Sequence, residues 1–109
     1  MAHVSLNAGV EALRKAAEPY AGVFRHGSLA IELYQPDTVD TQTPHDRDEV
    51  YVVISGSGTF MCDNARSAFG SGDLLFVPAH KIHRFENFSD DFQTWVIFYG
   101  PVGGESAET

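Results

Sequence analysis

Three side chains in this 109-residue chain have the chemistry to hold a divalent metal ion together: His45, Glu49 and His83. Imidazole nitrogens suit iron, zinc, nickel and copper, and a carboxylate offsets part of the ion's charge. Three protein ligands leave coordination positions open for water, oxygen or a substrate. His45 and Glu49 lie in the run Thr43-Pro44-His45-Asp46-Arg47-Asp48-Glu49, which feeds the β-branched stretch Val50 to Ile54. In an extended chain, side chains two or four apart share a face. Thr43, His45, Glu49, Tyr51 and Val53 are therefore expected to point inward together if the segment is regular. His83 follows Pro78, and Phe85 and Asn87 would share its face. The donor set does not choose among Fe, Mn, Ni and Zn.

The elements that must position these groups are mostly strands. Residues 5–18 read as a short helix, with Leu6, Val10, Leu13 and Ala17 near a 3.6-residue period, Ser5 or Asn7 as cap and Pro19 as stop. It is expected to be a packing arm over residues 1–22. From there the signals turn to β. Leu29, Ile31 and Leu33 alternate with Ser28, Ala30 and Glu32 until Pro36 and Asp37. Residues 38–48 form a polar loop or loose strand. Val50 to Ile54, Thr59 to Cys62, Leu74 to Val77, 82–88 and 92–99 read as strands, punctuated by Gly56-Ser57-Gly58, Asp63-Asn64, Ser71-Gly72-Asp73 and Ser89-Asp90-Asp91. Short strands at roughly ten-residue spacing after one helix predict an all-β sandwich or closed barrel. One domain is expected, with the barrel over 23–100 and a flexible tail over 101–109.

Bulk composition narrows the function classes. The formal net charge is −8, so phosphate backbones and anionic lipid surfaces are poor partners, and neither nucleic acid nor membrane is expected. The first twenty residues carry acidic groups and no long apolar run, which argues against a signal peptide or a spanning helix. The one cysteine, Cys62, cannot form an intramolecular disulfide, which favours a reducing, cytoplasmic setting. It has no evident base or helix N-terminus beside it, so a nucleophilic thiol is not expected. No phosphate-cradling glycine pattern and no Ser-His-Asp set can be assembled.

At its histidines the chain resembles the cupin superfamily. The first motif of that family is G-x5-H-x-H-x3,4-E-x6-G, and His45, Glu49 and Gly56 match its second His, its Glu and its last Gly. The second is G-x5-P-x-G-x2-H-x3-N, matched by Gly72, Pro78, His83 and Asn87. The resemblance spans 37–87 by motif and implies a double-stranded β-helix, or jelly roll, with a short N-terminal helix. Three positions depart from it. Thr43 stands where the first His is usual, Asp37 replaces the first Gly, and His80 replaces the Gly of the second motif. The loss of the first His leaves three readings: a site with three protein ligands, a site in which Gln42 swings in as a fourth, oxygen ligand, or a pocket that works without metal.

The resemblance implies an oxidoreductase, dioxygenase-like, acting on a small organic substrate through a two-His, one-Glu metal centre. Metal-dependent isomerisation or decarboxylation, and a non-catalytic small-ligand- or metal-binding module used as a sensor or accessory domain, are the alternatives. Tyr51 and His26 are the candidates for positioning substrate or moving a proton. Thr43, Tyr51, Phe85 and Trp95 are the candidates for the substrate pocket. His80 and His3 carry no expected role. Residues 92–99 are apolar on both faces, which predicts that a twofold partner covers one of them, as a homodimer.

Overall fold

The structure is a computed structural model, and it describes residues 1–106. One helix precedes eight strands: α1 (Leu6–Lys15), β1 (Tyr20–His26), β2 (Leu29–Tyr34), β3 (Asp48–Ser55), β4 (Gly58–Cys62), β5 (Ala65–Phe69), β6 (Leu74–Val77), β7 (His83–Glu86) and β8 (Gln93–Tyr99). They form a five-stranded sheet in the order β1-β2-β8-β3-β6 and a three-stranded sheet in the order β5-β4-β7. All strand pairs are antiparallel. The jelly-roll expectation therefore holds.

Alternation along the strands decides which groups enter the space between the sheets. On β3, Glu49, Tyr51 and Val53 are buried. On β8, paired with it, Thr94 and Val96 are buried, while Trp95 pairs with Leu33 and Val52 on the opposite face. From the smaller sheet, Phe60, His83 and Phe85 enter the interior. Tyr34, Tyr51, Phe60, Phe69, Phe85 and Phe92 are the large side chains of the core. Phe85 sits at its centre, with ring centroids 4.9 Å from Tyr51, 4.9 Å from Phe60 and 4.6 Å from Phe92. Tilted and edge-on pairs of this kind contribute beyond the area they bury.

The helix is shorter than the sequence pattern suggests. Ser5 caps it, its hydroxyl accepting from the Ala8 amide at 3.0 Å, but the backbone becomes extended at Ala16 rather than running on to residue 18. The residue before a proline avoids helical angles, and the relaxation here begins earlier than the stop signal at Pro19. The helix packs on β1 and β2, and a side chain at Gly9 would meet Trp95 at 3.3 Å and Leu33 at 3.4 Å. The absent side chain permits this close approach.

Two strands carry little sequence signal. β5 is exposed except at Phe69, and β1 begins at Tyr20, inside the segment expected to be an arm. Both lie at sheet edges, where a strand needs no regular apolar alternation. The tail also differs from expectation over its described part. The Gly103 amide donates to the Asp46 carbonyl at 2.7 Å, and the Glu105 amide to the Asp48 carboxylate at 2.8 Å. The remainder of the expected flexible tail, residues 107–109, lies outside the described residues.

Candidate metal centre

Glu49 reaches the interior because it sits on the inward face of β3, between Phe98 of β8 and Val77 of β6. His83 enters from the facing sheet as the first residue of β7. His45 arrives differently. It lies in the loop before β3, not on an extension of that strand, and its carbonyl accepts the His80 amide at 2.7 Å. That bond fixes the loop against the turn that leads to His83. His80 holds a left-handed φ of +69°, a conformation that glycine adopts most easily.

One potential ligand atom from each of His45, Glu49 and His83 lies within 4.8 Å of the other two. His83 Nε2 is 2.9 Å from Glu49 Oε1, and His45 Nε2 is 3.7 Å from the same oxygen. The two imidazole centroids are 5.3 Å apart. Donors bound at about 2.1 Å to one ion lie roughly 3–4 Å from each other, so the spacing suits a shared cation.

The interior chemistry supports that fit. Glu49 is fully buried, and both its carboxylate oxygens, like His83 Nε2, lack a hydrogen-bond partner. The 2.9 Å separation is short enough for a hydrogen bond, but the directions are not those of one. His83 Nδ1 faces the Lys81 carbonyl at 2.9 Å, so it carries the proton and leaves Nε2 as a lone pair. Two acceptors facing each other in a buried site require a cation between them, either a proton or a metal. Burial opposes charge on His83, but the Glu49 carboxylate and the Lys81 carbonyl outweigh it and raise its pKa.

Beside His45 opens a cavity of about 460 Å³, bordered by Glu32, Tyr34, Gln42, Thr43, Val96 and Phe98. His45 shows about a third of its side chain there, whereas Glu49 is at 1%. Burial raises the Glu32 carboxyl above its ordinary range, Arg25 opposing and the Glu49 charge adding. A larger groove of about 960 Å³ runs along α1 past Leu13, Pro36 and Val39, away from all three ligand candidates.

The remaining sequence candidates divide. Thr43 and Gln42 border the cavity. Tyr51 is fully buried behind the site, its hydroxyl donating to Gln42 Oε1 at 3.0 Å. Burial and the Glu49 charge push the Tyr51 pKa well up, which keeps the phenol neutral. Phe85 is core beneath the ligands and does not border the cavity. Tyr51 and Phe85 are therefore core and not cavity lining, and two further expectations are corrected. Trp95 faces the outer surface of the larger sheet, because its neighbours Thr94 and Val96 take the inward positions. His26 is exposed at the end of β1, and pairs with Leu29 on that same outer face. Paired residues on adjacent strands share a face, so neither ring is directed to the centre.

The sequence reading missed Asp40 and Glu32. Asp40 looked like one polar residue in a polar loop, and only its 5% exposure marks it. Glu32 looked like the solvent side of an alternating strand. The apolar residues Ile31 and Leu33 instead face outward under α1 and its neighbours, which turns Glu32 inward.

Comparison with known proteins agrees with this fold. A family model described as "Cupin domain" matches residues 30–99. An uncharacterised protein of Streptomyces coelicolor, SCO3923, is 34% identical over 95 residues, covering 84% of this chain and 90% of its own. The transcriptional activator RhaS of Yersinia pestis is 32% identical over 73 residues, covering 67% of this chain but only 27% of its own. Among solved structures, KdgF from Halomonas superposes with a TM-score of 0.67 at 20% identity, covering 78% of this chain and 83% of that one.

Proposed function

The chain belongs to the cupin domain family, and on that premise we propose that it is a metal-dependent oxidoreductase of the dioxygenase type, acting on a small organic substrate. His45, Glu49 and His83 hold one divalent ion, and the substrate enters through the cavity beside His45. One observation carries this reading: a fully buried carboxylate and a facing imidazole nitrogen, all without hydrogen-bond partners. A bound Fe, Mn, Ni or Zn would supply Lewis acidity, and a redox-active one would also supply a place for dioxygen.

The chain's own residues shape what reaches that centre. No Lys or Arg borders the cavity, whereas Glu18 and Glu32 do. Aromatic faces come from Tyr20, Tyr34 and Phe98. A neutral or cationic substrate with an aromatic or alkyl body suits this lining better than a carboxylate or phosphate. Glu32, with its raised pKa, is placed to accept a hydrogen bond from that substrate or to hold a proton. The test is oxygen uptake by metal-loaded protein over small thiols, diketones and phenols. Uptake that disappears in His83→Ala supports the proposal. Bound metal with no turnover on any of these moves the reading to a binding module or to a non-oxidative isomerase or decarboxylase.

The binding module is favoured by two observations. Thr43 stands where a further histidine is usual in the family, and the chain matches a segment of a transcriptional activator. In that reading the same cavity holds a small ligand without turnover.

No helix among the described residues is long and apolar enough to cross a membrane. The acidic surface disfavours nucleic acid and anionic lipid, and a cytoplasmic setting agrees with the single free cysteine. The outer face of the larger sheet presents Val23, Ile31, Val52, Trp95 and Ile97, with Ala2 and Val4 at its border. A twofold partner covering that face gives a homodimer.

A further inference from the structure

Resting on the metal reading above, we propose that Gln42 is a fourth ligand and that Asp40 is the residue that positions it. The vacancy left by Thr43 is thereby filled by a neutral oxygen donor rather than an imidazole.

The Gln42 carboxamide is held at both ends. Gln42 Nε2 donates to Asp40 Oδ2 at 2.7 Å. Gln42 Oε1 accepts the Tyr51 hydroxyl at 3.0 Å and lies 3.3 Å from His45 Nε2. A flipped amide would put its oxygen against the Asp40 carboxylate and its NH2 against the Tyr51 hydroxyl and the imidazole. The Asp40 charge thus selects the orientation that aims an oxygen at the centre. The distance from His45 Nε2 is of the size expected between two donors on one ion.

Asp40 is itself fixed more firmly than a loop residue needs to be. It is 5% exposed. Its Oδ1 accepts the Tyr34 hydroxyl at 2.6 Å and the Gln42 amide at 3.1 Å. Its Oδ2 accepts Gln42 Nε2 and, at 2.8 Å, the Phe85 amide. Four donors and, among the described residues, no cation meet this charge, which is the pattern of a carboxylate kept for orientation. The Phe85 amide lies two residues from His83 on β7, so Asp40 ties the loop carrying Gln42 and His45 to the strand carrying the other imidazole. Two imidazoles, a carboxylate and a carboxamide form a harder set than three imidazoles and a carboxylate. That shifts preference toward manganese and iron and away from copper.

The test uses the full chain, with Mn2+ and Co2+ as probes. Mn2+ affinity comes from calorimetric titration and coordination from the visible Co2+ bands. Gln42→Ala is expected to lower Mn2+ affinity by about 10–100-fold and to alter the Co2+ spectrum, with circular dichroism unchanged. Asp40→Asn, which frees the carboxamide to turn, is expected to give the same spectral change with a smaller loss of affinity. Should Asp40→Asn fail to fold, Tyr34→Phe removes one donor from Asp40 and is expected to move the spectrum in the same direction. A folded Gln42→Ala protein with wild-type affinity and spectrum overturns the assignment while leaving the three-ligand site standing. Wild-type protein that takes up neither ion overturns both.

Discussion

Glu49 places a carboxylate inside the barrel with no Lys or Arg among the described residues to meet it, and His83 turns an unshared nitrogen toward it at 2.9 Å. Such an arrangement is costly for a protein that binds nothing there, since buried charges are normally paired and hydrogen-bonded. The cost should be measurable. In metal-free protein, Glu49→Gln is expected to leave stability unchanged or raise it by about 1 kcal/mol, read from urea unfolding, while abolishing metal binding. A large loss of stability in the metal-free variant would mean that Glu49 serves the fold instead. Glu32 gives a second expectation at this scale. Glu32→Gln should leave metal affinity within about twofold while weakening cationic ligands of the cavity more than neutral ones of equal shape. Choline and its uncharged carbon isostere, titrated by NMR, make that comparison. The three ligand candidates were legible from residue type and from the spacing of the two family motifs, although His45 lies in a loop and not on the strand face that alternation gave it. Asp40 was not, because its importance comes from four donors that converge only in three dimensions.

At the scale of elements, the turn after β3 and the turn between β6 and β7 hold the segments that carry the centre. Gly56 has φ +88°, and an added Cβ would lie 2.6 Å from the Phe92 Cα and 2.7 Å from Ser89 Oγ. Gly56→Ala is expected to cost about 1–3 kcal/mol through overpacking and backbone strain, seen as a lower urea midpoint with unchanged slope. His80 is the converse case. Its left-handed backbone is strained for histidine, and only its backbone amide is used to hold His45. His80→Gly is expected to stabilise by about 0.5–1 kcal/mol and to leave metal affinity intact. Loss of metal in that variant would assign the imidazole a role that its turn position does not suggest. The strands that form the core, β3, β4, β6, β7 and β8, were readable from β-branched runs between turn residues. β1 and β5 were not, since an edge strand is held by its neighbour's backbone and needs no alternating side chains. The error on Trp95 has the same root. An apolar strand with both faces covered carries no sign of which face is inward.

At the scale of the molecule, the larger sheet is apolar on both sides. One side is core, and the other is covered in part by α1 through the close contact of Gly9 with Trp95 and Leu33. Ile31, Val52 and Ile97 border what remains. If a second copy covers them, Val52→Glu should convert a dimer to a monomer in sedimentation at micromolar concentration, with the circular dichroism of the barrel retained. A wild-type protein that sediments as a monomer removes that proposal without touching the metal centre. Metal binding should also be felt by the whole barrel, since the ligands come from both sheets and from the loop joining β2 to β3. An ion present at about 100 times its dissociation constant adds roughly 2.7 kcal/mol to the folded state, which raises the melting temperature by on the order of 10 °C.

The most direct measurement is a calorimetric titration of dialysed, chelator-treated protein with Mn2+, Ni2+ and Zn2+, repeated on His83→Ala. Saturation at about one ion per chain in the wild type, with affinity falling by more than about 100-fold in the variant, is the predicted result. No saturable uptake of any of the three ions, or equal uptake by the variant, would contradict a metal centre built from His45, Glu49 and His83.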